Sequence, residues 1–351
     1  MFSTAILSIF LKKRKNLVLN LKFERIYLLN CINYYVSTLY VSINFTFAFS
    51  MIKQPPYLVA GDTVGIVATA RKISPEELAP GIKILESWGL KVALGENLFH
   101  TENQFSGNDW ERASDLQQML NNPVVKAVIM ARGGYGTVRI IDRIDFSHFA
   151  QHPKWLIGYS DVTVLHSHIT NHFDTECLHA PLLFNFTKSE AATSSLKKAL
   201  FGEKIEYTIP PSSFNRSGQE LGQLVGGNLS ILYSLAGTHS DIDTKGKILF
   251  IEDLDEYLYH IDRMIMQLKR SGKLSNLKGL IVGGMSDMRD NTIPFGKTAE
   301  QIIREAVEEY DYPVCFGFPA GHIAENFALI LGREVELTVS EKIVKIHFNN
   351  R

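Results

Sequence analysis

A chain of 351 residues with 45% hydrophobic residues is long enough to bury a large core, and its length predicts two domains. The formal net charge of -1 and the isoelectric point near 6.8 argue against a nucleic-acid-binding protein, so small molecules or peptides are the expected ligands. Three widely spaced cysteines without a C-x-x-C pair argue against a disulfide framework or a cysteine zinc site, and they fit a reducing compartment.

Residues 1–50 differ in composition from the rest of the chain. They contain no glycine, proline or aspartate, and the stretch 26–50 carries no charge. By length this stretch would cross a bilayer, although several asparagines dilute it. We interpret residues 1–50 first as an extension upstream of a true start at Met51, then as a membrane or signal segment, and last as a folded part of the domain. The first interpretation predicts a cytoplasmic protein and the second an anchored or exported one.

From residue 62 onward, strand-like runs alternate with helix-like segments. Strands are predicted in "DTVGIVATA", at 91–94, in "VVKAVIMA" and in "WLIGY". Helices are predicted after Ser74, which forms a capping-box pattern with Glu77, at 109–120 behind the cap pair Asn108 and Glu111, and in "TVRIIDRI". This alternation predicts a parallel sheet with helices on both faces.

A proline- and serine-rich stretch near 210–217 indicates a linker, after which the pattern is more mixed. Strands are predicted in "KGKILFIED" and "LKGLIVGGM", helices at 256–270 and 298–310, and a closing hairpin in "REVELTVSEKIVKIHF". The sequence therefore predicts an α/β fold with two domains and a cleft between them. The expected boundaries are 51–210 for the first domain, 211–220 for the linker and 221–351 for the second, smaller domain.

Ser160 lies between the strand "WLIGY" and a following amphipathic helix. In α/β sheets ligands gather at the carboxyl ends of strands, so a sharp turn there would expose the hydroxyl. The first helical N-H groups, including that of Asp161, would point toward an oxyanion formed beside Ser160. The pattern departs from the G-x-S-x-G nucleophile elbow, because Val162 occupies the place of the second glycine. Taken alone, the segment fits a serine that caps the next helix better than a nucleophile.

A nucleophilic serine needs a base, and the base needs an orienting acid. His322 lies in the loop-like "GFPAGHIAEN", and Glu252 ends the apolar strand "ILFIED". Either residue alone fits a solvated loop position equally well, but together with Ser160 they complete a triad in the order Ser, acid, His. His179, in "LHAP", is expected to line the cleft or to cap a loop.

Three other histidines, His166, His168 and His172, have a spacing that resembles a zinc-ligand pair on a helix. They have no neighbouring glutamate and no clear third ligand. We interpret them as ordinary histidines on the surface of the helix.

The segment "ARGGYGTVR" follows the third predicted strand and contains Gly133, Gly134 and Gly136. Glycines allow backbone N-H groups to approach a negative charge closely. The spacing is not that of a dinucleotide-binding loop, but the segment fits the second half of an oxyanion hole beside Ser160. Arg132 would then pair with a substrate carboxylate or form an ordinary surface ion pair.

Five motifs in order resemble those of the LD-carboxypeptidase family, whose members are also called muramoyltetrapeptide carboxypeptidases. They are "RGGYG", "GYSDVT" followed by "LHAP", "GGNLS", "FIEDLDEYLYHIDRM" and "GFPAGH", and the resemblance extends over residues 56–339. It implies an N-terminal α/β domain similar to class I glutamine amidotransferases, a smaller C-terminal α/β domain and a homodimer. Family members begin much as Met51 does here.

The resemblance also implies a serine peptidase that needs no metal or cofactor. Its Ser-His-Glu triad falls on Ser160, His322 and Glu252, and the backbone N-H groups of Gly134 and Asp161 form its oxyanion hole. The implied substrate is the murein tetrapeptide or a related muropeptide, from which the terminal D-alanine is removed during peptidoglycan recycling. The candidate substrate-binding residues are Arg132, Gly133, Tyr135 and His179.

Three alternatives stay open at this point. A branch of the same family confers immunity to microcin C by cleaving a peptidyl or aminoacyl nucleotide, and Tyr257 and Trp155 are the aromatic candidates for stacking on its adenine. From other classes, the chain fits a non-catalytic nucleotide-binding protein built around the segment 132–136, or a catalytically silent muropeptide-binding protein.

Overall fold

The computed structural model describes residues 52–349. The interpretations of residues 1–50 lie outside this range. Within residues 52–349, no helix is long and apolar enough to cross a membrane. The described chain forms one compact α/β unit with two sheets, so the predicted fold class is confirmed.

The first sheet carries most of the predicted alternation. Its strands are β1 (Thr63–Val67), β2 (Lys91–Leu94), β3 (Val125–Met130), β4 (Trp155–Gly158), β5 (Cys177–His179) and β11 (Leu329–Leu331). They lie in the order β11-β5-β4-β3-β1-β2, and all neighbours are parallel except β11 and β5. The parallel sheet was predicted, whereas its antiparallel edge strand comes from the C-terminal part of the chain and was not.

The helices beside this sheet were only partly predicted, and capping boxes marked the first two of them. They are α1 (Pro75–Ser87), α2 (Asp109–Asn121), α3 (Thr137–Ile140), α4 (Ser147–Gln151), α5 (Thr163–His172) and α6 (Glu190–Phe201). The capping boxes of Ser74 with Glu77 and of Asn108 with Glu111 are both formed. Helix α3 has only four residues and continues as a 3-10 turn, because three of its four residues are β-branched and have low helix propensity.

The second sheet is mixed. Its strands are β6 (Glu206–Ile209), β7 (Gly218–Asn228), β8 (Ile248–Leu254), β9 (Gly279–Ser286), β10 (Val314–Phe316), β12 (Glu334–Val339) and β13 (Val344–Phe348). They lie in the order β10-β9-β8-β7-β12-β13-β6. The first four are parallel, and β12 with β13 forms the predicted antiparallel hairpin.

Helices α7 (Leu229–Leu235), α8 (Leu258–Arg270) and α9 (Ala299–Ala306) pack on the second sheet. Strand β7 begins at Gly218, inside the stretch expected to be a linker. Helix α9 ends four residues before the predicted position 310.

The two sheets share one continuous apolar core, which runs from Val64 in β1 to Phe250 in β8 and Leu337 in β12. The chain also crosses between them, since β11 in the first sheet lies between β10 and β12 of the second sheet in sequence. At the return crossing, the buried Arg333 guanidinium donates to both carboxylate oxygens of the buried Glu176. The segment from β10 to β11 is thus fixed at both ends, and it carries His322.

Candidate active site

Ser160 lies just beyond the carboxyl end of β4, on a tight turn into α5. Its φ is +65°, a left-handed conformation that is uncommon for a residue with a side chain. The turn is closely packed, since a Cβ on Gly158 would lie 2.8 Å from Val162 Cγ2. Val162 therefore packs against the first glycine of the elbow-like motif while standing in place of the second. Strain of this kind is typical of nucleophile turns.

The Ser160 hydroxyl does not cap a helix. No side chain caps the 3-10 turn at Ser160–Val162 or the start of α5. Instead, Ser160 Oγ lies 3.0 Å from Nε2 of His322. The interpretation of Ser160 as a helix cap is therefore wrong for this structure.

The imidazole of His322 lies between the hydroxyl and a carboxylate. Its Nδ1 is 2.7 Å from Oε2 of Glu252, and the side chain is 14% exposed. The edge of the ring packs against Tyr159, with the two ring centroids 4.9 Å apart. These contacts hold the imidazole in one orientation, with Nδ1 toward the acid and Nε2 toward the serine.

Glu252 lies within strand β8, two residues before the strand ends at Leu254, and it is fully buried. Its Oε2 accepts two hydrogen bonds from His322, one from the backbone N-H at 3.1 Å and one from the ring. This close approach requires glycine at position 321, where φ is +107° and a Cβ would lie 2.6 Å from Oε2. The glycine that precedes His322 in the sequence "AGH" therefore has a steric role.

The pKa of the His322 imidazole reflects opposing effects. Burial lowers it, because a charged ring is poorly solvated there, but the hydrogen bond and the charge of Glu252 raise it. The net result is a pKa above the ordinary value of 6.5. Glu252 therefore stabilises the protonated ring, as an acid that assists a general base does.

The glycine segment approaches Ser160 from the neighbouring strand β3. A Cβ on Gly133 would lie 3.3 Å from Ser160 Cβ, so the backbone passes directly beside the hydroxyl. Gly134 has φ of +119°, and a Cβ there would overlap the Arg71 side chain. Gly134 is therefore needed for this approach, and a side chain at Gly133 would crowd the hydroxyl.

Asp161 ties the glycine segment to the serine turn. Its Oδ2 accepts the backbone N-H of Thr137 at 2.9 Å, and its carboxyl is almost fully buried. Burial raises the pKa of Asp161, while the hydrogen bonds from Thr137 and Gly136 act in the opposite direction. Sequence reasoning considered only the backbone N-H of Asp161 and missed this role of its side chain.

The predicted substrate-binding residues are placed differently from one another. Arg132 pairs with Glu77 at 3.0 Å and stands over the ring of Phe184. Tyr135 is 48% exposed. His179 is fully buried and therefore supports the site from behind rather than lining the cleft.

Of the three helix histidines, His172 is exposed as predicted, whereas His166 and His168 depart from the expected surface positions. His166 is fully buried, and burial lowers its pKa to about 3. His168 is partly buried, with Nδ1 3.0 Å from the Ser240 hydroxyl. His172 bonds to the carbonyl of His239. Within residues 52–349, no group of histidine, cysteine or acidic side chains has the arrangement of a metal site.

Several asparagine and acidic side chains were missed as parts of the site. Asn326 Oδ1 accepts the Gly321 N-H at 2.7 Å and lies 3.2 Å from His179 Nε2, so it fixes the loop before His322. Asn228 donates to the carboxyl of Asp253 at 3.0 Å, and burial followed by the charge of Glu252 raises the pKa of Asp253 to about 7. The sequence signal for Asn228 and Asp253 was their presence in the quoted motifs "GGNLS" and "FIEDLDEYLYHIDRM".

A cleft of about 370 Å³ opens beside His322. Its lining includes Tyr159, Asn185, Lys188, Leu254 and Ile323. The neutral residues of this lining provide both hydrogen-bonding groups and apolar surface.

A hydroxyl on a strained turn, bonded to an imidazole whose other nitrogen meets a buried carboxylate, is the arrangement of a serine hydrolase. Comparison with known proteins agrees with this class. The LD-carboxypeptidase N-terminal domain model matches residues 64–180, and the LD-carboxypeptidase C-terminal domain model matches residues 221–337. The chain belongs to the LD-carboxypeptidase family and is a serine-type carboxypeptidase.

Three relatives illustrate the family. The probable murein peptide carboxypeptidase of Bacillus subtilis is 38% identical over 85% of this chain and 95% of its own length. The crystal structure of muramoyltetrapeptide carboxypeptidase from Oxalobacter formigenes has a TM-score of 0.75 and 27% identity, covering 82% of this chain and 98% of that one. The microcin C7 self-immunity protein of Escherichia coli is 24% identical over 84% of this chain and 97% of its own length.

Proposed function

We propose that this enzyme removes the terminal D-alanine from murein tetrapeptides or related muropeptides, cleaving an L-to-D bond during peptidoglycan recycling. The observation that carries the proposal is the contact of Ser160 with His322 and of His322 with Glu252, at 3.0 and 2.7 Å. Support for the substrate class comes from the names of the Bacillus subtilis and Oxalobacter formigenes relatives.

In the proposed mechanism Ser160 Oγ attacks the carbonyl carbon of the scissile bond. His322 Nε2 takes the hydroxyl proton, and Glu252 holds the ring tautomer and stabilises the imidazolium. The imidazolium then protonates the leaving nitrogen. The carbon–nitrogen bond breaks, D-alanine departs, and an acyl-enzyme remains on Ser160. A water molecule that His322 deprotonates hydrolyses the ester and restores Ser160.

The oxyanion that forms in both steps needs donors beside Ser160. We assign this role to the backbone N-H groups of Gly134 and Asp161, in agreement with the position of the glycine segment against Ser160. A donor of this kind contributes about 2.7 to 4 kcal/mol to transition-state stabilisation. Gly133 supports the assignment because it leaves room for the backbone to reach the site.

Gly134→Ala is expected to lower kcat by about 100-fold with a smaller change in KM, because the added Cβ displaces a donor used mainly in the transition state. Gly61→Ala is the matched control, since Gly61 also has a positive φ, +96°, but a Cβ there meets nothing within 4 Å. Steady-state kinetics of both variants test the assignment. Equal loss of kcat in the two variants would show that backbone strain alone explains the effect.

The pH dependence of kcat/KM is expected to fall on the acid side through the pKa of His322. The base must be neutral to accept the serine proton, so activity is lost as the pH drops below this pKa. Because Glu252 raises that pKa, the acid limb lies above 6.5. In Glu252→Gln the limb is expected to move to lower pH. A pH profile measured on both proteins tests this sign, and an unchanged midpoint would contradict it.

A second candidate is a microcin C immunity-type peptidase that cleaves a peptidyl or aminoacyl nucleotide. The self-immunity relative favours it. The aromatic candidates do not support adenine stacking in the cleft, since Trp155 is fully buried and donates to Pro56 at the far end of β4. Tyr257 is exposed beside Tyr259, outside the residues that line the cleft. We therefore favour the muropeptide.

The two candidates are separated by measuring kcat/KM for a murein tetrapeptide and for an aminoacyl adenylate analogue that the same chemistry would cleave. Release of the terminal alanine from the tetrapeptide, at a kcat/KM well above that for the nucleotide, is the expected result. Preference for the nucleotide would overturn the proposed function in favour of the second candidate. Cleavage of neither would leave a binding protein.

Two further proposals follow from the family resemblance. We propose that the protein forms a homodimer and that it acts in the cytoplasm. Sedimentation equilibrium tests the first. N-terminal sequencing of the protein expressed from its own gene, followed by cell fractionation, tests the second. A protein recovered with the membrane fraction would contradict the cytoplasmic location.

A further inference from the structure

The cleft beside His322 contains an unbalanced positive charge. Among the described residues that line it, Lys188 is the only lysine or arginine, and none is an aspartate or glutamate. Apart from His322 the rest of the lining is neutral. A positive charge in a concave site without a carboxylate favours an anionic group on the ligand.

Lys188 differs in this respect from the other cation nearby. Both stand over the ring of Phe184, with the Lys188 ammonium 5.4 Å and the Arg132 guanidinium 5.2 Å from its centroid. Arg132 is paired with Glu77, whereas among residues 52–349 no carboxylate lies within ion-pair distance of Lys188. Lys188 therefore keeps a charge that is available to a ligand.

Lys188 also lies on the side of the site that the leaving group is expected to occupy. In the proposed mechanism His322 protonates the scissile nitrogen, and the terminal carboxylate is two bonds from this nitrogen. It must therefore lie on the side of the site where His322 stands, which is the cleft that Lys188 lines. The charge of Lys188 also acts on the His322 imidazole. Burial lowers the pKa of His322, Glu252 raises it, and the positive charge of Lys188 lowers it.

We propose that Lys188 binds the free carboxylate of the C-terminal residue that the enzyme removes. The inference rests on the proposed peptidase function and deepens it, because it assigns the group that distinguishes a chain end from an internal peptide bond. Lys188 is a binding residue and takes no part in the proton transfers. Its flexible side chain stands on apolar surface, so the ammonium reaches the ligand without burial of an unpaired charge.

The experiment compares two substrates that differ only at this carboxylate, a murein tetrapeptide that ends in D-alanine and the same peptide that ends in D-alaninamide. The wild-type enzyme is expected to prefer the acid by about 10- to 100-fold in kcat/KM, the range of a hydrogen bond between charged groups. Lys188→Met is expected to lose this preference, with a lower rate on the acid and an unchanged rate on the amide. Lys188→Arg should restore part of it.

Lys197→Met is the matched control, because Lys197 also stands over aromatic rings, those of Trp88 and Phe201, but does not line the cleft. It should retain the wild-type preference. Lys188 is exposed, so its variants are expected to fold, and thermal unfolding checks this.

Two results would overturn the inference. If Lys188→Met kept the full preference for the acid, another group would bind the carboxylate. If it lost the same factor on acid and amide, Lys188 would bind a different part of the peptide. Failure of the wild-type enzyme to cleave either peptide is a distinct outcome, since it would overturn the proposed function together with the inference.

Discussion

Ser160→Ala is expected to lower kcat for release of the C-terminal residue by about 10⁴-fold or more, because no other hydroxyl replaces the nucleophile. His322 Nε2 then has no proton to accept, although its contact with Glu252 remains. Chromatographic measurement of the released alanine gives the rate. Ser87→Ala is a suitable control, since the Ser87 hydroxyl is exposed and bonds only to the Ile84 carbonyl at the end of α1.

The fold of the variant is checked through the strain at position 160. Ser160→Gly should be as inactive as Ser160→Ala but should unfold at a higher temperature, because glycine adopts a φ of +65° without steric cost. An inactive Ser160→Gly variant that is more stable than the wild-type protein would separate loss of the nucleophile from loss of the fold. Turnover that persists in either variant would contradict the role of Ser160.

Glu252→Gln is expected to lower kcat by about 10³- to 10⁴-fold, because a neutral amide neither selects the required tautomer of His322 nor stabilises its charged form. The amide is close in shape to the carboxylate, so KM should change much less. The carboxylate is fully buried and Oε1 has no hydrogen-bond partner within the described structure, so a modest loss of stability is also expected.

Glu256→Gln is the control for this substitution. Glu256 lies four residues beyond Glu252 and contacts His260 rather than His322. Its variant should retain wild-type kcat. Steady-state kinetics with thermal unfolding of both proteins distinguishes a local electrostatic effect from general destabilisation. Full activity in Glu252→Gln would show that His322 needs no carboxylate, against the proposed triad.

Much of the first sheet could be predicted because its signals are local. The capping boxes at Ser74 and Asn108, the apolar strand runs and the turn at Ser160 each lie within a few residues of sequence. The motif order around Ser160, Glu252 and His322 then gave the family, although no local pattern could place three residues that are far apart in the chain within hydrogen-bond distance of one another.

What sequence could not provide depends on contacts between distant segments. Strand β11 has three residues, too few to show an alternating pattern of apolar and polar residues. It joins the first sheet only by pairing with β5. His166 was interpreted as a surface histidine, yet it is fully buried, and the groups that act on its ring are the Leu156 backbone in β4 and His179 in β5. The free charge of Lys188 is likewise visible only once its neighbours are known.

The most direct test of Ser160 as nucleophile is intact-protein mass spectrometry after rapid mixing with a depsipeptide, a tetrapeptide analogue whose last amide is an ester. The better leaving group speeds acylation but not deacylation, so the acyl-enzyme should accumulate and give a burst of product. The predicted result is one tripeptidyl adduct that maps to Ser160 and is absent from Ser160→Ala. An adduct on another residue, or an equal adduct on Ser160→Ala, would contradict the account.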